Sequence, residues 1–170
     1  MFWGGLPLWD VRMIHGIDHI NIVVADLERS VAFYTEVLGF RKTQEVFMEG
    51  EWIESIVGLR GVTGRVAFVE PAGGGLRIEL LQYVAPEGVH LEANSVANTR
   101  GLRHLAFRVT GIEAMATRLR AAGVTLFSDP VLVPGGVVTF AAGEKRLLYF
   151  LDPDGVILEL AEYGSLEVER

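Results

Sequence analysis

Gly16-Ile17-Asp18-His19-Ile20-Asn21-Ile22-Val23-Val24 and Gly101-Leu102-Arg103-His104-Leu105-Ala106-Phe107-Arg108-Val109 are two versions of one segment, set 85 positions apart. In both, a strand-like run leads within three residues to a helix-like run that starts at Leu27 or Ile112. A second pair follows in the same order: Leu76-Arg77-Ile78-Glu79-Leu80-Leu81-Gln82-Tyr83 matches Val156-Ile157-Leu158-Glu159-Leu160-Ala161-Glu162-Tyr163, 80 positions on. The stretch between the matched segments has changed length by five residues while the order is kept. An internal duplication of this kind sets the architecture, because each copy must repeat the same supersecondary unit.

Each copy reads as βαβββ. Residues 17–24 are β-branched and apolar on alternate positions, a strand. Asp26 is placed to cap the next helix, Glu28 favours its dipole, Leu27, Val31, Tyr34 and Leu38 share one face, and Gly39 ends it. In the second copy Thr110 and Glu113 have capping-box spacing, Ile112, Met115, Ala116, Leu119 and Ala122 form the apolar stripe, and Gly123 stops it. Short strands are expected at 40–47, 65–70 and 76–84, then at 124–127, 137–140, 146–151 and 156–163. Pro71-Ala72-Gly73-Gly74-Gly75 and Asp152-Pro153-Asp154-Gly155 carry turn chemistry between paired strands. The chain divides into a leader or arm (1–15), a first module (16–84), a polar linker (85–100) and a second module (101–164).

Successive strand side chains point to opposite faces. His19 shares a face with Asn21, and Ile20, Ile22 and Val24 take the other; His104 opposes Leu105, Phe107 and Val109. Glu79 lies between Ile78 and Leu80, and Glu159 between Leu158 and Leu160. Four metal-capable side chains therefore stand mid-strand at duplicated positions in apolar surroundings. A carboxylate buried there without a partner is costly or titrates to neutrality, and a shared cation keeps both ionised. One strand histidine is ordinarily a satisfied core or surface residue; two histidines and two glutamates at repeated positions are not explained that way. His15 and His90 are unrepeated and carry no assignment.

Composition narrows the partners. Of 170 residues, half are apolar, and the net charge is −7 with arginines scattered singly. A nucleic-acid binder needs a basic face to displace phosphate counterions, so a small-molecule ligand is the better expectation. The absence of cysteine excludes disulfides, thiolate metal sites and a cysteine nucleophile, and is compatible with a cytoplasmic protein. No apolar run approaches the ~20 residues of a membrane span. Residues 1–16 lack the basic start and cleavage site of a signal peptide; Met13 could be the true start, or the leader could pack as an arm.

At these residues the sequence resembles the vicinal oxygen chelate superfamily, which includes glyoxalase I, methylmalonyl-CoA epimerase, type I extradiol dioxygenases and the fosfomycin- and bleomycin-resistance proteins. The matching pieces are Asp18-His19-Ile20, Ile78-Glu79-Leu80-Leu81, Gly101-Leu102-Arg103-His104-Leu105-Ala106-Phe107, and Asp152-Pro153-Asp154-Gly155 with Leu158-Glu159-Leu160. The resemblance implies an α+β fold, two tandem βαβββ modules curled into a mixed-sheet half-barrel around a metal site. It implies one divalent ion per chain (Ni, Co, Mn, Zn or Fe(II)) held by His19, Glu79, His104 and Glu159. Four protein ligands on an octahedral ion leave two positions for neighbouring substrate oxygens.

The reading that follows is a metal-dependent isomerase, epimerase or lyase of the glyoxalase I or methylmalonyl-CoA epimerase type. It moves a proton through a metal-chelated enediolate or enolate of a small acyl or 2-oxo substrate. The catalytic residues implied are Glu159 and, in the run Gly50-Glu51-Trp52-Ile53-Glu54, Glu54. An Fe(II) extradiol dioxygenase would need only His19, His104 and Glu159, and Glu79 argues against it. A non-catalytic antibiotic-binding protein is the third reading, against which the full ligand set stands. A homodimer is expected, since two curled sheets leave apolar edges. Arg41, Arg65, Arg77, Arg103 and Arg108 are the candidates to meet a substrate carboxylate or phosphate.

Overall fold

The structure, a computed structural model, describes residues 15–134 and 143–164. It contains two open four-stranded mixed sheets. The first is built from β1 (His19–Val23), β2 (Phe40–Glu49), β3 (Thr63–Pro71) and β4 (Arg77–Ala85) in the order β1-β4-β3-β2. The second uses β5 (His104–Arg108), β6 (Val131–Leu132), β7 (Lys145–Leu151) and β8 (Ile157–Tyr163) in the equivalent order β5-β8-β7-β6. β1 runs parallel to β4 and β5 to β8, and the remaining pairs are antiparallel. Neither sheet closes into a barrel, so the α+β expectation and the repeated strand order both stand.

Helix α1 (Leu27–Ala32) starts as expected: the Asp26 carboxylate accepts the Arg29 N–H at 2.9 Å. Its last turn widens into a π-helical segment (Phe33–Val37), closed by the Leu38 N–H on the Phe33 carbonyl, and Gly39 turns the chain at φ 77°. α3 (Ile112–Ala121) corrects the sequence expectation. Its N-cap is Gly111 in the left-handed region, and no capping box forms between Thr110 and Glu113. The carboxylate of Glu162 in β8 accepts the N–H groups of Gly111 and Ile112 instead. The equivalent residue of β4, Gln82, accepts the Leu27 N–H at 3.2 Å and donates to the Ala25 carbonyl at 3.0 Å. In each module the residue three beyond the glutamate therefore ties the helix to the last strand; in the first it works beside the Asp26 cap, and in the second it takes the place of a local cap.

Two other expectations change. The stretch 124–127 is not a full strand: Leu126 makes a single bridge to Phe150, flanked by Phe127 N–H to Tyr149 O and Leu151 N–H to Thr125 O. The strand expected at 137–140 lies outside the described residues, as does the leader up to residue 14. The run after Gly50 is α2 (Glu51–Val57), ended by Gly58 at φ 72°. The linker holds one short 3₁₀ turn (Glu92–Ser95). No helix among the described residues is long and apolar enough to cross a membrane.

One core joins the modules. Leu27 and Tyr34 from the first helical segment, Ile112, Ala116 and Leu119 from α3, Ile78 and Leu80 from β4, and Leu158 and Leu160 from β8 are all buried in it. Each of the leucines and isoleucines contributes about 1.5–3 kcal/mol. The Asp152-Pro153-Asp154-Gly155 turn locks the two halves. Asp152 is buried and accepts from Tyr34 Oη at 3.1 Å and from the Asp154 and Val156 N–H groups. Asp154 accepts from Ala25 N–H, Arg29 and Ser30 of the first module. Because Ile78, Leu80, Leu158 and Leu160 face the shared core, strand alternation turns Glu79 and Glu159 onto the opposite face of each sheet.

Candidate metal centre

Parallel pairing sets Asn21 beside Glu79 and Ala106 beside Glu159, so the two histidines occupy identical registers relative to their glutamates. His19 Nε2 stands 3.3 Å from Glu79 Oε2, and His104 Nε2 stands 3.2 Å from Glu159 Oε2. Both imidazoles are 37% exposed, Glu79 18% and Glu159 8%, so each pair is reachable from solvent with its carboxylate sunk in the sheet.

The ring nitrogens identify the chemistry. His19 Nδ1–H donates to Asp18 at 2.7 Å, and Asp18 is held in turn by Arg77 at 2.8 and 2.9 Å. Hydrogen bonding from His19 first, and the Arg77 charge next, keep the Asp18 carboxyl below the usual range. With the proton on Nδ1, a neutral His19 presents its Nε2 lone pair to a carboxylate oxygen, so two acceptors face each other. Only a shared cation reconciles them, either a proton that makes the ring imidazolium or a metal ion. Two ligand atoms about 2.1 Å from one ion and at right angles to it stand about 3 Å apart, close to the separations observed. The donor set fits a divalent metal, with a partner on the far ring nitrogen of each histidine as metal sites usually have.

The surroundings of the two pairs differ. Phe68 is the cross-strand neighbour of Glu79, and Tyr149 is the cross-strand neighbour of Glu159. Phe68 meets the His19 ring edge-on at 5.9 Å between centroids, and Tyr149 lies against His104 at 5.1 Å with its hydroxyl 3.3 Å from Nδ1. Burial, and then the Glu159 charge, push the Tyr149 phenol up, so it stays protonated. Asn21 Nδ2 donates to Glu79 Oε2 at 2.8 Å, a contact that Ala106 cannot repeat. Tyr149, Asp18 and Asn21 had no part in the sequence expectation for the site. Extending the duplication to β3 and β7 would have found Tyr149, but those strands do not resemble each other in sequence.

The four predicted ligands form two pairs. Within one chain no hydrogen bond or ion pair joins the first pair to the second, and among the described residues no three or more His, Asp or Glu side chains are placed to hold one ion together. Glu54 lies on α2, where its carboxylate accepts the Gly61 N–H at 2.8 Å and meets Arg60 at 3.5 Å. No hydrogen bond or ion pair among the described residues links it to the four ligands. α2 itself packs through Ile53 onto Val66 and Leu81, on the same face of the first sheet as Glu79.

Residues 16–160 match the model of the family described as the Glyoxalase/Bleomycin resistance protein/Dioxygenase superfamily. The chain is 33% identical over 149 residues to a 2-epi-5-epi-valiolone epimerase from an Actinomyces species, covering 85% of this chain and 77% of that one. An uncharacterised Escherichia coli (strain K12) protein, YaeR, is 33% identical over 149 residues, covering 86% and 95%. Among solved structures, a glyoxalase-family protein from Bacillus cereus superposes with a TM-score of 0.77 at 26% identity, covering 92% of this chain and 99% of that one.

Proposed function

For a chain that belongs to the Glyoxalase/Bleomycin resistance protein/Dioxygenase superfamily, we propose a metal-dependent enzyme that moves a proton next to the carbonyl of a small molecule, as an epimerase, isomerase or lyase. The observation that carries this reading is the facing of an imidazole Nε2 and a carboxylate oxygen, twice, at 3.3 and 3.2 Å. The 33%-identical relative named as an epimerase supports the same reaction class.

His19, Glu79, His104 and Glu159 would hold the ion, a Lewis acid for the substrate oxygen beside the bond that loses its proton. Asp18 and Tyr149 hold the outer ring nitrogens and so aim each Nε2; Asn21 fixes the Glu79 carboxylate. Glu159 is the acid–base residue, its carboxylate lodged beside Tyr149 and His104. Glu54, whose carboxylate also accepts the Gly61 N–H and faces Arg60, is the second base.

The two pairs lie on separate sheets, on faces turned away from the common core. A centre with all four ligands is therefore completed by a second copy, the His19–Glu79 pair of one protomer facing the His104–Glu159 pair of its partner. β1 and β5, which carry the histidines, each have one edge without a strand neighbour among the described residues and leave room for that approach. Exchange of a substrate α-hydrogen with solvent deuterium, without oxygen consumption, tests the reaction class. Oxygen uptake coupled to cleavage of a catechol ring would replace it with the extradiol reading.

A further inference from the structure

Of the five arginines that the sequence offers for a substrate anion, four are engaged within the protein. Arg41 pairs with Glu70, Arg65 with Glu28 and Glu45, and Arg77 with Asp18; Arg103 donates to the carbonyls of Asn94 and Val96. Of the other cations in the described strands, Lys42 meets Glu45, and Arg146, next to Lys145 on β7, meets Glu113. Arg108 and Lys145 meet no carboxylate among the described residues. Both instead lie over the ring of Tyr163, with Arg108 Cζ 4.7 Å and Lys145 Nζ 5.1 Å from its centroid.

Their place in the sheet makes this more than surface charge. Alternation along β5 puts Arg108 on the face of His104, and alternation along β8 puts Tyr163 on the face of Glu159. Lys145 is the cross-strand neighbour of Tyr163 on β7. The Arg108–Tyr163–Lys145 group therefore shares a sheet face with the His104–Glu159 pair, four residues along each strand, about 13 Å away at strand rise. The duplication supplies an internal control. Around Tyr83, the counterpart of Tyr163, the first sheet has Val23 in the place of Arg108 and Gly64 in the place of Lys145. The framework is repeated and the charge is not, so the cations are not a requirement of the fold. Tyr163 spaces them apart and holds each by cation–π attraction.

The geometry points to an anion subsite at Arg108 and Lys145, which receives the carboxylate or phosphate end of the substrate whose carbonyl reaches the metal pairs. This assignment rests on the function proposed above and narrows it to anionic substrates. The guanidinium offers a planar fork to two oxygens, and the ammonium adds a point charge from the other side of Tyr163.

The test is an NMR titration of the full-length ¹⁵N-labelled protein with inorganic phosphate and, separately, with succinate, at ionic strength matched with sodium chloride. At least one anion is expected to saturate, with shifts centred on residues 108, 145 and 163, and Arg108→Gln and Lys145→Gln should each weaken it about tenfold or more. Saturation by phosphate alone, or by succinate alone, identifies the group that the substrate carries. Shifts scattered over the surface, or an affinity unchanged in both variants, overturn the assignment. Metal content is measured on the same samples and should be the same in wild type and variants. If wild type holds no metal but the anion still binds at Arg108, the proposed reaction fails and the subsite survives; metal without local anion binding does the reverse.

Discussion

The phenol of Tyr34 donates a 3.1 Å hydrogen bond to the carboxylate of Asp152, joining the first module's helix to the turn before the second module's last strand. Both groups are buried, and burial, followed by the Asp152 charge, holds the phenol well above its ordinary range, so it is always a donor. Burial is also the main cause that raises Asp152 from 3.8 to about 6, against the three hydrogen bonds that favour its anion.

A raised carboxylate pKa means that the folded state binds the Asp152 proton more tightly than the unfolded chain. Between about pH 4 and pH 6 this group's contribution therefore falls as pH rises, by an amount on the order of 3 kcal/mol. Asp152→Asn keeps an acceptor for the two backbone N–H groups and cannot ionise. Relative to wild type, its melting temperature should climb as pH passes from 4.5 to 7.5; a constant difference across that range would refute the assignment.

Metal content tests the ligands. Wild type purified without chelator should carry about one divalent ion per chain, and His19→Ala and Glu159→Gln should each lose most of it. Equal metal in all three proteins would sink the centre.

Assembly across two copies predicts complementation. His19→Ala and His104→Ala are each expected to bind little metal alone. Mixed and exchanged, they form heterodimers in which one of the two centres has both histidines, restoring about a quarter of the wild-type metal. A centre built within one chain restores none, and sedimentation as a monomer in the presence of metal would also exclude the shared site.

Tyr149→Phe makes the second pair's aromatic neighbour the same as the first pair's, since Phe68 already stands opposite Glu79. The packing is retained and the contact to His104 Nδ1 is lost, so metal affinity should fall about tenfold with little change in melting temperature. Unaltered affinity would show that the hydroxyl has no part in orienting the ring.

Glu54→Gln separates a base from a structural carboxylate. Glutamine still accepts the Gly61 N–H, so the fold and the metal should persist. If Glu54 carries a proton, the α-hydrogen exchange rate drops about 10²–10⁴-fold; an unchanged rate leaves Glu159 as the acid–base residue.

The duplication and the strand faces were legible in the sequence, and with them the equivalent places of His19 and His104 and of Glu79 and Glu159. Alternation along a strand is a local property: His19 opposite Ile20, and Glu159 between Leu158 and Leu160, follow from one-residue spacing wherever the strands lie. The Asp26 cap was legible for the same reason, its partner being three residues away. What the sequence by itself did not determine is everything that depends on register between distant strands. Glu162, not Thr110, holds the start of α3, because a carboxylate delivered by β8 reaches N–H groups that no local side chain met. Tyr149 beside His104, Asp154 under Arg29, and Arg108 over the Tyr163 ring are likewise set by which strand lies next to which. Tertiary packing also put the helices and the inner sheet faces into one core and turned the two His–Glu pairs outward on separate sheets. Residue spacing gives each module its histidine and glutamate, but only the packing of one module on the other decides whether the two pairs meet within a chain.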